Sequence, residues 1–184
     1  MWQEVLSPIS KELISEFQPG SLGENLNIYS EESNFPDLRN NRVTIIGVPE
    51  DRTNLKHKGT SEASNAIRKQ LYSLYPGPWE INIADIGNII PGRDVIDTIA
   101  ALEEVCVEVI KHNSIPFIIG GSSDLGFAIY RAFVRLEQTI NATILDSRIS
   151  LESDEKELNS DNYLSNILTS KPYRLYNLSH IGHQ

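Results

Sequence analysis

The chain has 184 residues, of which 40% are hydrophobic and 22% charged, and its formal net charge is −9. This composition is typical of a globular domain or of part of a larger one. The acidic balance disfavours binding to nucleic acid and to anionic membrane surfaces, because both would repel it. The single cysteine, Cys106, excludes an intrachain disulfide and a cysteine zinc site. Because we find neither a basic leader nor a long apolar run, we expect a cytoplasmic protein.

The amino-terminal part of the sequence predicts one helix and a connection. Ser7 can cap a helix over residues 8–17, Pro8 suits its first turn, and Pro19-Gly20 would end it. Polar residues with glycine and serine then fill 20–41. We therefore divide the chain into an amino-terminal helix and connection, 1–41, and a main domain, 42–184.

Short apolar runs alternate with amphipathic stretches through the main domain. The predicted strands cover 43–48, 81–86, 115–119, 142–145 and 173–178. The predicted helices cover 61–74, 94–113, 124–137 and 162–168. Strand alternating with helix is typical of βαβ units, so we predict a three-layer α/β/α fold with a mostly parallel sheet.

In such a sheet, functional residues gather at the carboxyl ends of the strands. The third strand runs into Gly120-Gly121-Ser122-Ser123-Asp124. Glycines let the backbone approach a ligand, and the amides of the following helix favour an anion. A tight turn with Ser or Asp capping the helix explains the same residues. Neither the dinucleotide fingerprint nor a phosphate-binding loop is present.

Two further strand ends carry acids. Asp146-Ser147-Arg148-Ile149-Ser150 follows the fourth strand, and Asp146 there is either a ligand or catalytic carboxylate or an ordinary turn residue. Asp51 and Arg52 follow the first strand and could line the same cleft, although charged loop residues commonly face water.

Taken together and in this order, these motifs resemble the ureohydrolase family of arginases, agmatinases and formimidoylglutamases, across residues 42–184. The family's Gly-Val-Pro, Ile-Arg, Asp-Ile-Gly, Gly-Gly-Asp-His and Asp-Ala-His-x-Asp motifs match 47–49, 67–68, 85–87, 120–123 and 146–150. The closest similarity is to the formimidoylglutamase-like branch. The resemblance implies the three-layer arginase/deacetylase-like fold.

The resemblance also implies a site for two manganese ions that activate water against a guanidino-type carbon. In this sequence the metal positions read Ser123, Arg148 and Ser150, and only Asp146 keeps the family's residue. Serine is a poor ligand for such ions, and arginine has no lone pair to donate. We therefore expect no metal cofactor and a catalytically silent protein with a binding or regulatory role.

Further expectations concern the site and the sheet edge. Arg148 could replace the lost metal charge by pairing with Asp146 or Asp124. A manganese-dependent hydrolase remains the alternative if a longer chain supplies further ligands, and a small-anion binding module at 120–124 is another. Because family members are longer, the domain is expected to be incomplete at its carboxyl end. An exposed sheet edge could then serve self-association or a protein partner.

Overall fold

The computed structural model describes residues 2–15, 17–54, 56, 58–78, 81–154 and 157–184. The larger of its two sheets contains the strands β1 (Leu6–Ser7), β2 (Asn27–Ile28), β3 (Val43–Gly47), β4 (Ile83–Ile89) and β5 (Ile115–Ile119). Their order is β1-β4-β3-β5, and β2 also pairs with β4. Only the β1–β4 pair is antiparallel among these. The predicted mostly parallel sheet is thus confirmed.

The amino-terminal segment differs from its prediction. The predicted helix over 8–17 shrinks to α1 (Lys11–Ser15), and its Glu16 lies outside the described residues. Ser7 does not cap a helix, because Leu6–Ser7 pairs antiparallel with β4. Leu6 and Ile9 are only 4% and 1% exposed, so burial of these side chains against the sheet outweighs the local helical pattern. The predicted connection contributes β2 to the same sheet.

β4 also runs further than predicted. The predicted strand ends at residue 86, but β4 continues through Gly87 to Ile89. Gly87 has φ +82°, and a Cβ at this position would collide with the backbone carbonyl oxygen of Ser7. The glycine therefore permits close approach of β1 rather than ending the strand.

Helices cover both faces of the larger sheet. These are α2 (Ala63–Ser73), α3 (Val95–Lys111) and α4 (Leu125–Arg135). Right-handed crossovers from β3 to β4 and from β4 to β5 run in opposite directions across the sheet, which places α2 on one face and α3 on the other. The main core lies between the sheet and α3 with α4, and its buried strand residues include Ile46, Ala84 and Ile86.

The last two strands form a separate sheet. β6 (Ile140–Leu145) and β7 (Leu175–Ile181) pair in parallel, and α5 (Tyr163–Thr169) connects them. A second apolar cluster joins this sheet to α4 and α5 through Tyr130, Tyr163, Leu164 and Ile167. Since α4 contributes to both clusters, it holds the two sheets beside each other. None of the helices in the described ranges combines the length and apolar character needed to cross a membrane.

Candidate functional site

The turn after β5 is fixed by the loop that follows β3. Gly120 and Gly121 have φ values of +85° and +79°, which glycine adopts readily. The Gly121 N–H donates to the carbonyl oxygen of Thr60 at 3.0 Å, and the Ser122 N–H donates to that of Glu50 at 2.9 Å. Both amides are therefore engaged within the protein, which favours the tight-turn interpretation over an anion site.

Asp124 is fully buried at the start of α4. One of its carboxylate oxygens accepts a hydrogen bond from the Thr53 hydroxyl at 2.8 Å, and the other accepts one from the Ser160 hydroxyl at 3.2 Å. Its side chain does not cap the helix, so the expectation that Asp124 caps α4 is wrong. Asp124 instead joins three loops, those after β3 and β5 and the one before α5.

The resemblance places metal ligands at Ser123 and Ser150. Ser123 lies beside the loops that Asp124 joins, and Ser150 is buried. The Ser123 hydroxyl reaches the carbonyl oxygen of Ser160 at 3.5 Å, which is a weak contact. Ser150 is buried, with 8% of its surface exposed. Neither hydroxyl offers the charge of a carboxylate or the neutral nitrogen of an imidazole, the ligand types that divalent manganese favours.

Asp146 and Arg148 form a local turn rather than a side-chain ion pair. The Asp146 carboxylate accepts a hydrogen bond from the Arg148 backbone N–H at 3.0 Å. The Arg148 guanidinium instead faces Asp161, with 4.0 Å between Nη1 and Oδ1, and Lys56 donates to the same carboxylate at 2.9 Å. The predicted pairing of Arg148 with Asp146 or Asp124 is therefore wrong, because Asp161 from the loop before α5 already carries the opposite charge.

Asp51 stabilises the loop to which it belongs. Its carboxylate accepts hydrogen bonds from the backbone N–H groups of Gly59 at 2.7 Å and Ser61 at 3.3 Å. Burial raises the pKa of this carboxyl group, but the bonds from Ser61 and Gly59 outweigh that effect and lower it below its usual value. Asp51 thereby fixes the loop that receives the Gly120-Gly121 turn.

Glu50, which the sequence patterns did not single out, pairs with Arg52, which they placed beside the cleft. Glu50 is 1% exposed and accepts hydrogen bonds from Arg52 Nε at 3.0 Å and from the Thr98 hydroxyl at 3.0 Å. Burial acts to raise the pKa of Glu50, but the bonds from Arg52 and Thr98 lower it overall. The available signal was an acid placed directly after a buried strand, as with Asp51.

The Arg52 guanidinium also lines a cavity of about 610 Å³ beside the amino end of α3. Its Nη1 donates to the Arg93 carbonyl oxygen at 2.7 Å, so the group is held between two loops. The remaining lining residues are Thr53, Arg93, Asp94, Val95, Ile96, Glu157 and Leu158. The donors of the guanidinium serve the protein itself, and this region therefore stabilises the loops at the strand ends.

Among the residues that the structure describes, no group of three or more His, Cys, Asp or Glu side chains could hold a metal ion. His180 places Nε2 at 3.1 Å from the Arg148 carbonyl oxygen and its ring 5.5 Å from that of His183. The donors at the family's positions, two hydroxyls and a guanidinium beside Asp146, do not fit a manganese pair.

Comparison with known proteins agrees with this fold and these motifs. A family model described as "Arginase family" matches residues 41–182, and the chain belongs to that family. Formimidoylglutamase from Halalkalibacterium halodurans is 27% identical over 121 residues, which are 60% of this chain and 38% of that protein. Formimidoylglutamase from Halobacterium salinarum is 29% identical over 91 residues, 47% of this chain and 30% of that protein. Within the family, the chain is therefore similar to the formimidoylglutamase-like branch.

A solved structure supports the fold. Trypanosoma cruzi formiminoglutamase, determined with Mn²⁺, superposes with a TM-score of 0.67 at 19% identity, covering 78% of this chain and 57% of that one. The chain spans less than two-fifths of the length of the two curated relatives described above. The three-layer arginase-like architecture expected from the sequence is confirmed.

Proposed function

We propose that this chain is a ureohydrolase-like protein that lacks the binuclear manganese site and acts through binding or regulation rather than hydrolysis. The observation that carries the proposal is the set of side chains at the metal positions. Ser123, Arg148 and Ser150 stand there, and Asp146 is the one carboxylate retained. A guanidinium about 4 Å from a doubly charged ion costs several kcal/mol even with substantial screening.

The surroundings of the site support the same interpretation. Asp124, the buried carboxylate nearest in sequence to Ser123, has both oxygens engaged by hydroxyl groups. Asp161 is engaged by Lys56 and faces Arg148. Asp124 and Asp161 therefore each have partners within the protein, and a metal would have to displace these partners to bind either carboxylate.

A manganese-dependent hydrolase of guanidino or formimino C–N bonds is the second candidate. It is favoured by the short span of the match, because most of each curated relative lies outside the aligned residues. A segment that corresponds to the unaligned part of these relatives could supply further ligands and complete a site around Asp146. The third candidate, a small-anion module at 120–124, loses support because the Gly121 and Ser122 amides already donate to carbonyl oxygens.

Manganese binding tests whether this chain can act as a hydrolase by itself. We would load the chain with Mn²⁺, remove free ion by gel filtration and measure bound metal by mass spectrometry, with release of urea and formamide as the activity readout. The proposal expects no stoichiometric metal and no product. Tight manganese retention with turnover of a guanidino or formimino compound would establish the hydrolase instead.

A triple variant, Ser123→His, Arg148→His and Ser150→Asp, provides the matched comparison. It restores the family's residue types around Asp146 without changing the remaining chain. We expect the variant to retain more manganese than the unmodified protein, because two imidazoles and a carboxylate replace groups that cannot coordinate the ion. Equal retention by both proteins would show that these positions do not control metal binding.

A further inference from the structure

The carboxyl end of β7 carries two histidines that the proposed function does not use. His180 is the last residue but one of this strand, and His183 follows after Gly182. Gly182 has φ +87°, a left-handed conformation that glycine adopts readily, so the chain turns sharply between the two histidines. Their imidazole rings lie with 5.5 Å between centroids and an interplanar angle of 69°. Two side chains of a type that binds metals are thus neighbours.

The hydrogen bond of His180 defines which of its ring nitrogens carries the proton. Nε2 lies 3.1 Å from the backbone carbonyl oxygen of Arg148. A carbonyl oxygen only accepts hydrogen bonds, so Nε2 carries the hydrogen, and in the neutral ring the lone pair is on Nδ1. Histidines that bind metals commonly have this arrangement, in which one nitrogen donates to a backbone carbonyl group and the other binds the ion.

The Nδ1 atom of His180 is buried and has no hydrogen-bond partner among the residues that the structure describes. Buried polar atoms are nearly always satisfied, so an unpaired nitrogen requires an explanation. A zinc ion lies about 2.0–2.1 Å from an imidazole nitrogen, whereas a hydrogen-bond donor remains at about 2.7 Å or more. A metal ion therefore fits beside a shielded nitrogen better than a water molecule does.

The spacing of the two rings agrees with a shared ion. Two imidazoles bound to one tetrahedral zinc ion have ring centroids about 5 Å apart, given Zn–N distances of about 2.0–2.1 Å. The observed separation of 5.5 Å is close to this value. Edge-to-face packing of two rings produces similar separations, but it leaves Nδ1 of His180 without a partner. An ion bound to that nitrogen accounts for both the ring spacing and the unpaired atom.

We propose that His180 and His183 bind one transition-metal dication of the zinc, nickel or copper class, with Nδ1 of His180 as one ligand and water completing the coordination. Imidazole suits these ions, and affinity for such a site is lowest for manganese among the common divalent ions of the series. Because His180 also bonds to the Arg148 carbonyl oxygen, a bound ion would hold the turn after β6 against the end of β7.

The charges around the pair are compatible with a dication. Asp146 places a carboxylate at the same strand end, since its backbone N–H donates to the Ile181 carbonyl oxygen at 3.1 Å. The Arg148 guanidinium faces Asp161, at 4.0 Å, which offsets its positive charge. With two protein ligands, binding should be reversible and weaker than in structural zinc sites, which have four. The inference is independent of the manganese positions, because neither histidine stands at one of them.

Zinc binding to the untagged 184-residue chain tests the proposal. ZnCl₂ is titrated into the protein by isothermal calorimetry in a non-chelating buffer at neutral pH, with MnCl₂ in a parallel titration. We expect saturation at one zinc ion per chain and no saturable binding of manganese over the same concentrations. Absence of saturable zinc binding would overturn the proposal.

Three single substitutions locate the bound ion. His180→Gln and His183→Gln should each weaken zinc binding by more than about tenfold, because loss of a group that only orients a ligand already costs about 10–100-fold. His183 is exposed, so its replacement should leave the fold intact. His112→Gln is the matched control, since His112 lies at the end of α3 with Nδ1 2.7 Å from the Glu108 carbonyl oxygen. Equal zinc affinity in all three variants would place the ion elsewhere and refute the assignment.

The protonation of His180 provides a second, independent readout. Long-range ¹H–¹⁵N correlation spectra of the zinc-free chain should show the hydrogen on Nε2, and the Nδ1 resonance should shift when zinc binds. A zinc-free chain with the hydrogen on Nδ1, or an Nδ1 resonance that does not respond to zinc, would contradict the proposed ligand whatever the affinity.

Discussion

Arg68 and Asp85 form a fully buried ion pair that ties α2 to the central strand β4. Arg68 Nε donates to Asp85 Oδ2 at 2.8 Å, Nη2 donates to Oδ1 at 2.8 Å, and both side chains are 0% exposed. The Tyr72 hydroxyl donates to the same carboxylate at 2.6 Å, and Arg68 also donates to the Gly87 carbonyl oxygen at 2.8 Å. The guanidinium and the carboxylate therefore each have a further hydrogen-bond partner besides the ion pair, which offsets the cost of burying the two charges.

Removing one member of this pair should strongly destabilise the fold. Arg68→Met leaves the Asp85 carboxylate buried without its cation, and Asp85→Asn leaves the guanidinium uncompensated. Each is expected to lower the free energy of unfolding by about 3–5 kcal/mol. Urea unfolding followed by circular dichroism measures the change.

Two controls define the cause of that loss. Arg68→Lys keeps the charge but cannot form the paired donors of a guanidinium, so it should recover only part of the stability. Arg39→Met breaks the exposed pair with Asp37, in which the arginine side chain is 76% exposed, and should leave unfolding almost unchanged. A similar loss in Arg39→Met would show that burial does not set the size of the effect.

Gly121→Ala should be more harmful than Gly59→Ala. Both glycines have positive φ values, +79° and +93°, so alanine strains the backbone at either position. At Gly121 the added Cβ would also collide with a Leu125 methyl group and lie 2.8 Å from the Val48 carbonyl oxygen, whereas Gly59 borders open space. We expect Gly59→Ala to cost about 1 kcal/mol and Gly121→Ala clearly more, as measured by thermal unfolding. Equal costs would mean that the turn after β5 relaxes freely.

Glu50 should contribute to loss of stability in acid. Its pKa in the folded protein is lowered below the ordinary value of 4.5, although burial opposes this, because Arg52 and Thr98 stabilise the carboxylate. A lowered pKa gives stability that is complete above about pH 4.5 and is lost as the pH falls through the folded value. Urea midpoints from neutral to acidic pH should therefore fall less steeply in Glu50→Gln than in the unmodified chain.

The same variant should be less stable at neutral pH, because Arg52 loses its charged partner. Glu12→Gln, on exposed α1, serves as the control and should keep the slope of the unmodified protein. An unchanged acid slope in Glu50→Gln would contradict the assignment of this effect to the Glu50–Arg52 pair.

The sequence predicted the parts of the fold that depend on local patterns. Short apolar runs located β3 and β5, and apolar residues at helical spacing located α3 and α4, each to within a few residues. The amino-terminal strands were missed because two-residue strands carry no measurable period, and Leu6 is held by contacts distant in sequence. Separation of the β6–β7 sheet from β5 could not be predicted, since strand pairing depends on neighbours and not on composition.

The candidate site shows the same contrast between local patterns, which could be predicted, and contacts distant in sequence, which could not. Motif order located the strand ends that carry Ser123, Asp146 and Arg148, but their partners came from loops distant in sequence. Asp161, which faces Arg148, and Ser160, which bonds Asp124, lie in the loop before α5. No periodic signal marks such loop residues, so the Arg148 partner was predicted wrongly.

Cys106 should be unreactive until the domain unfolds. The thiol lies in the core on α3 with 0% exposure, and burial raises its pKa to about 12, with Glu103 adding to the shift. Ellman's reagent at mildly alkaline pH should react at the rate of global unfolding under native conditions and promptly in denaturing urea. Rapid labelling of the native chain would show instead that α3 opens locally without global unfolding.

The raised thiol pKa of Cys106 also makes folding less favourable above about pH 9, the ordinary value, as the pH rises towards about 12. Cys106→Ser should remove this alkaline loss of stability.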